Sequence, residues 1–275
     1  MNFSVREYKP SMLLQPFVDC YWRGKFNIKS EQTVAFDMVP NACLELIIHL
    51  DDLRCHLPGP NNWSQTPDYM LIGLFTAARQ VRFPGMVPVF TIRFKPEAIF
   101  SLFNLNGSEI LEKFEDISLM LDNDFRDFCH RIREEKDTET MILLTEQFLL
   151  KQLTKRKKTS DYVNKAAELM RNNDFNNIQE ISAEVCISQR QLERKFRNIM
   201  GVSPKKYLRL TRINKVMHIL EQNSPLDLTS VAYHCGYFDQ AHFINDFKKI
   251  TGKNPTVYFN EKQRFITLPA QVEIN

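Results

Sequence analysis

The sequence predicts an α+β chain: a small antiparallel β-barrel at the N-terminus, helices after it, and an all-α C-terminal domain. Three observations carry this. Between residues 17 and 94 the apolar residues fall in short runs broken by turn residues (CLELIIHL, YMLIGLF, VRF, VFTIRF), the spacing of an antiparallel sheet. Beyond Pro96 the texture turns helical. Lastly, FRNIMGVSPKKY at 196–207 returns 51 positions later as FKKITGKNPTVY, with Phe, Gly, Pro and Tyr at matched places, so one unit is built twice.

The elements follow in order. Strands are expected at 43–50, 69–75, 81–83 and 89–94, separated by PGPNNWSQTPD and FPGMVP, which hold most of the region's Pro and Gly. KPEAIFSLFNL opens a helix on a Pro, whose missing N–H is harmless in the first turn. Residues 106–121 read as a short helix and a turn, and 122–135 and 138–153 as two amphipathic helices. In the last of these Met141, Leu144, Phe148 and Leu149 recur at helical spacing, a core stripe or a dimer seam.

TKRKKTS at 154–160 is a basic linker, and the chain beyond it is helical: 161–172, 178–185, 188–200, 204–222, 228–234, 239–251 and 255–261. Ser188, Ser203, Asp227 and Asp239 stand where an N-cap oxygen accepts from the open N–H groups of a first turn. Gly201 and Gly252 fall just past two helices, where a left-handed residue is wanted. The expected domains are 1–153 (β-rich 1–95, helical 96–153), the linker 154–160, a second domain 161–264 and a tail 265–275.

At 275 residues there is material for about two domains, and 43% hydrophobic with 25% charged residues is ordinary for a globular protein. The charge is divided unevenly. Residues 1–150 carry 15 Lys+Arg against 21 Asp+Glu, and the remainder 21 against 12, so the C-terminal half suits an anionic partner. Six cysteines without a C-x-x-C pair exclude zinc-finger spacing. MNFSVREYKP turns charged at once, unlike a signal peptide, and no run approaches the ~18 apolar residues of a spanning helix. A cytoplasmic protein with reduced thiols and no membrane partner is expected.

Within the repeat, Leu192, Phe196 and Ile199 match Phe243, Phe247 and Ile250, so each helix buries one face and shows the other. Upstream of each lies another short helix, ISAEV and VAYHC, across a turn of two or three residues. Two short helices joined so tightly make a helix-turn-helix, whose second helix suits the DNA major groove. The stretch IQEISAEVCISQRQLERKFRNIMGVSPKKYLRLTRINKVMHIL…LTSVAYHCGYFDQAHFINDFKKITGKNPTVYF resembles the DNA-binding domain of AraC/XylS-type transcription regulators. In that family one long helix ties two such units. The signature of the second unit stands here as Gly236, Tyr237, Phe243, Phe247, Lys248, Gly252 and Pro255, over about 100 residues of matched spacing. One departure is Phe259, where the family commonly has Arg.

The resemblance implies a bacterial regulator, activator or repressor, with double-stranded promoter DNA and RNA polymerase as partners. Family members of this order carry a first domain that serves as sensor and dimerisation module, which implies a small-molecule effector and a homodimer. VPNACLELIIHL and FTIRFKPEAIF resemble a cupin-like N-terminal subtype. Trp22, Phe36, Tyr69, Phe75 and Phe94 are candidate ligand-pocket residues, or core.

A linking helix over 204–222 is roughly 28 Å long, near the ~34 Å turn of duplex DNA. The outward face of the first recognition helix offers Gln189, Arg190, Glu193, Arg194 and Arg197. Arg194 or Arg190 would fork onto guanine, and Glu193 would accept from cytosine or pair with Arg197. The second shows Gln240, Ala241 and Asn245, where Gln and Asn suit adenine. Arg197, Lys205, Lys206, Lys248 and Lys249 are expected on phosphates.

FCHRI around Cys129 resembles the nucleophile motif of DNA alkyltransferases, but no Pro precedes it and it lies in an acidic amphipathic helix. His49, Cys55 and His56 lack the pattern of a metal set, so no metal or cofactor is expected. No phosphate-binding loop, dinucleotide fingerprint or G-x-S-x-G appears, and an enzyme is not expected. The rival readings are an architectural DNA-binding protein of low sequence preference and a repair alkyltransferase using Cys129.

Overall fold

The computed structural model describes residues 2–27, 35–59, 62–155, 161–172, 175, 177–221, 228–261 and 265–266. Among the described residues nine strands come first: β1 (Asn2–Tyr8), β2 (Val18–Asn27), β3 (Ala35–Met38), β4 (Leu44–His49), β5 (His56–Pro58), β6 (Trp63–Gln65), β7 (Tyr69–Ile72), β8 (Arg79–Arg82) and β9 (Val87–Phe94). Then follow α1 (Ala98–Phe103), α2 (Gly107–Ile110), β10 (Phe114–Asp116), α3 (Asn123–Glu134) and α4 (Thr138–Thr154). The four expected strands are β4, β7, β8 and β9. The others escaped because β2 mixes Arg23, Gly24 and Lys25 into its pattern, and β5, β6 and β10 are only three residues each.

The strands form two sheets, β1-β2-β9-β4-β7-β10 and β11-β3-β8-β5-β6, where β11 (Phe265–Ile266) comes from the C-terminal end. Residues 265–266 pair in parallel with β3, Phe265 opposite Asp37 and Ile266 opposite Met38, so the chain end returns to the first domain. The central strands of the six-stranded sheet, β9, β4 and β7, are buried on both faces. In β9, Val87 and Val89 face the second sheet, in one apolar cluster with Trp22, Phe36, Val81 and Phe83. Phe90, Ile92 and Phe94 alternate to the other face, against the helices. A register shift between Val18 and Cys20 in β2 sends these two residues to opposite clusters.

That split decides the fate of the aromatic residues. Trp22, Phe36 and Phe75 lie between the sheets, whereas Tyr69 and Phe94 lie on the opposite face. Among the described residues the five thus stand on opposite faces of one sheet, and two cavities bordered by the sheets hold about 20 Å³ each. The stripe on α4 is core as well: Met141 and Leu149 are fully buried, and the Phe148 ring stacks on Phe128 at 4.3 Å.

The C-terminal helices are α5 (Asp161–Asn172), α6 (Ile178–Glu184), α7 (Gln189–Met200), α8 (Pro204–Glu221), α9 (Leu228–His234), α10 (Gln240–Thr251) and α11 (Pro255–Asn260). Their order and bounds match the expectation closely. Residues 156–160 of the linker, Gln222 and the cap Asp227 lie outside the described residues.

Two close approaches seat this domain on the first. Gly107, at the start of α2, meets the end of α7 so tightly that a Cβ there would fall 2.3 Å from the Met200 carbonyl carbon. Ala78 N–H donates to Ile250 O at the end of α10, at 2.7 Å. Arg171 of α5 also forks onto Glu97 at 2.8 and 2.5 Å and donates to Tyr207 Oη of α8 at 3.1 Å. Among the described residues no helix is long and apolar enough to cross a membrane.

Candidate nucleic-acid interface

The two helices expected to read DNA are α7 and α10, and the same local chemistry builds both. Ser188 Oγ caps α7 by accepting from Gln191 N–H at 3.3 Å, and Asp239 Oδ1 caps α10 by accepting from His242 N–H at 2.7 Å. At the far ends Gly201 (φ 77°) and Gly252 (φ 79°) turn left-handed, donating to Arg197 O and Lys248 O at 2.9 Å each. Leu192, Phe196, Phe243 and Phe247 are all fully buried.

Burying those faces leaves the opposite faces in solvent. Gln189, Arg190, Glu193, Arg194 and Arg197 on α7 are exposed, as are Gln240, Ala241, Asn245, Lys248 and Lys249 on α10. Lys205 and Lys206 are exposed in the first turn of α8, which Ser203 caps by accepting from Lys206 N–H at 3.3 Å. Arg190, Arg194 and Arg197 line one open groove, and Ser108 of α2 forms its rim. Glu193 accepts from Arg197 Nη2 at 3.0 Å, a solvated i, i+4 pair.

The linking helix α8 aims α10 through a pair the sequence reading did not single out. Arg209 of α8 engages both carboxylate oxygens of Asp246, Nε to Oδ2 at 2.8 Å. Asp246 stands among the apolar residues of α10 and is 3% exposed. A carboxylate on a buried face needs a cation, and that was the available signal. Arg212, next along α8, lies over the Tyr237 ring at 5.8 Å. Phe259, the departure from the family pattern, packs against Tyr258 and Phe247 with centroids at 5.1 and 6.0 Å.

The other candidates have different surroundings. Cys129 is fully buried in α3, and burial pushes its thiol well above the usual range, away from the reactive thiolate. His49 is buried too, its Nδ1 3.2 Å from Asp68 O, and desolvation lowers its pKa to about 4. Among the described residues no cluster of His, Cys, Asp and Glu could hold a metal ion.

Two family models match the chain: a helix-turn-helix domain over residues 181–261 and a domain of unknown function (DUF6597) over 6–116. The HTH-type transcriptional activator RhaS of Escherichia coli O157:H7 is 33% identical over 73 residues, which is 26% of this chain and 26% of that protein. RhaS of Klebsiella pneumoniae (strain 342) is 32% identical over 71 residues, 26% of this chain and 25% of that one. The chain thus spans about a quarter of the length of the curated relatives it matches. Among solved structures, ToxT from Vibrio cholerae O395 bound to (E)-4-(8-methylnaphthalen-1-yl)but-3-enoic acid has a TM-score of 0.49 at 13% identity, covering 94% of this chain and 99% of that one.

Proposed function

We propose, from the premise that the C-terminal domain belongs to the AraC/XylS-type helix-turn-helix regulators, that this protein is a sequence-specific DNA-binding regulator of transcription. It reads two successive major grooves with α7 and α10. The observation that carries the reading is the pair of capped helices, each with its apolar face buried and its polar face free, braced by the 18-residue α8. At ~1.5 Å per residue α8 is about 27 Å long, which suits two heads on one side of a duplex.

The faces divide the work. Arg194 or Arg190 forks onto guanine in the half-site under α7, with Gln189 and Glu193 beside them. Gln240, Ala241 and Asn245 read the half-site under α10, which favours adenine. Arg197, Lys205, Lys206, Lys248 and Lys249 meet phosphates and set the register.

On this reading the protein works in the cytoplasm, at promoters, with RNA polymerase, and as a homodimer. An effector would regulate it through the first domain. A cleft of about 590 Å³ between the halves, lined by Phe17, Lys95, Glu97, Lys165 and Arg171, offers the room that the sheets do not.

Selection of bound fragments from a random-sequence duplex pool tests the central claim. Enrichment of one motif with two half-sites a helical turn apart is expected. Uniform binding displaced equally by any competitor duplex would leave an architectural protein instead.

A further inference from the structure

The two helix-turn-helix units match residue for residue through their first helix and turn, and then fall out of step. In the first unit Val185 N–H donates to Ile181 O, Cys186 N–H to Ala183 O and Ile187 N–H to Ser182 O, at 3.1, 3.0 and 3.0 Å. In the second, Cys235 N–H donates to Val231 O, Gly236 N–H to Tyr233 O and Tyr237 N–H to Ala232 O, at 3.0, 3.0 and 3.1 Å. Every donor and acceptor is displaced by 50 positions, and Cys186 and Gly236 share a positive φ. From the caps onward the displacement is 51, Ser188 to Asp239 and Gly201 to Gly252. One residue has been added between turn and cap, and it is Phe238.

The added residue is the most exposed large apolar side chain of the chain's described residues, at 87%, while its neighbour Tyr237 is 3% exposed. A single exposed apolar residue is ordinary on a protein surface. This one immediately precedes the cap of a recognition helix, whose N-terminal residues are the part that meets base edges. The next residues along, Gln240 and Ala241, are exposed beside it, and the first turn of α10 carries no arginine. The apolar feature that the major groove displays is the thymine C5-methyl group, and a phenyl ring is among the side chains that meet it.

We propose that Phe238 is a specificity-determining residue that packs its ring on the C5-methyl of one thymine in the half-site read by α10. The inference rests on the DNA-binding reading above. It adds an aromatic contact to a helix whose other reading groups are the amides of Gln240 and Asn245 and the small methyl of Ala241, and gives the extra turn residue a purpose.

The test uses the full chain and a duplex enriched from a random-sequence pool. Each thymine of that duplex is replaced singly by deoxyuridine, which removes one methyl and no hydrogen-bonding group. At one position under α10 the unaltered protein is expected to lose roughly fourfold in affinity, equivalent to ~0.8 kcal/mol for one buried methyl. Phe238→Ala is expected to bind the thymine and deoxyuridine duplexes equally, and Phe238→Leu to keep part of the difference. Since the ring is exposed, these variants should melt as the parent does, which thermal unfolding checks.

No thymine whose replacement matters, or a fourfold loss that persists in Phe238→Ala, overturns the inference alone. Equal binding of both duplexes by both proteins, with transcription lost in Phe238→Ala, assigns the ring to a protein partner and also overturns it. A chain that enriches no sequence refutes the DNA reading and this contact with it.

Discussion

Arg209 of α8 and Asp246 of α10 tie these two helices together by a two-pronged ion pair, with Nε 2.8 Å from Oδ2 and Asp246 almost wholly buried. A buried carboxylate stripped of its partner is costly, ~3–5 kcal/mol for a fully enclosed pair. The Arg209 side chain is 31% exposed, so water screens part of that. Arg209→Ala is expected to lose ~2–3 kcal/mol in stability and to weaken binding mainly through the α10 half-site. Thermal unfolding, with binding to duplexes altered in one half-site at a time, checks both. An unchanged melting temperature would refute the bracing role.

The proposed division between base and phosphate contacts on the first unit makes opposite predictions for two cations. Arg194→Ala should relax preference at one base position, at ~1–3 kcal/mol if the contact is bidentate. Lys206→Ala should weaken binding to every duplex alike and flatten the salt dependence by about one unit of slope. Binding titrations over a range of salt, on selected and scrambled duplexes, separate them. Uniform losses for both variants would remove Arg194 from the reading face.

His49 sets a pH window. Its folded pKa is lowered to about 4, chiefly by burial, from a reference of 6.5. Above pH ~6.5 both folded and unfolded chains are neutral there, and this contribution is fully present. As pH falls from ~6.5 toward ~4, the unfolded chain takes a proton that the folded one refuses, and stability drops by on the order of 3 kcal/mol. Below ~4 the contribution is flat. His49→Gln should be less stable at neutral pH and show a shallower loss between pH 6.5 and 4, measured by denaturant titration at several pH values.

The thiols give a further check. Cys186 is exposed, Cys43 half-buried, and Cys20, Cys55, Cys129 and Cys235 buried. A thiol reagent should label Cys186 fast in the native protein and Cys129 only on unfolding. Cys129→Ala should leave DNA binding unchanged. Methyl transfer from an alkylated oligonucleotide to Cys129 would contradict its place in the core.

Much of the C-terminal domain is legible in its sequence. Its helices rest on apolar periodicity at i, i+4 and i+7, on caps such as Ser188 and Asp239, and on terminal glycines, all of which act within a few residues of chain. The solvent-exposed faces followed, because fixing Leu192 and Phe196 inward leaves Arg190 and Arg194 outward. Strands pair across long stretches of sequence, and three-residue strands such as β5 or β10 carry too little pattern to announce themselves. Alternation in β9 could be read from the sequence, but not which face met the second sheet, so Trp22 and Phe94 looked like neighbours and are not. By itself, then, the sequence determined the doubled helical unit and its solvent face, since local hydrogen bonds and helical period settle both. Only the tertiary structure decided the two-faced sheet, the Arg209–Asp246 brace and the seating of Gly107 on Met200, because each needs residues distant in the chain to arrive at the same place.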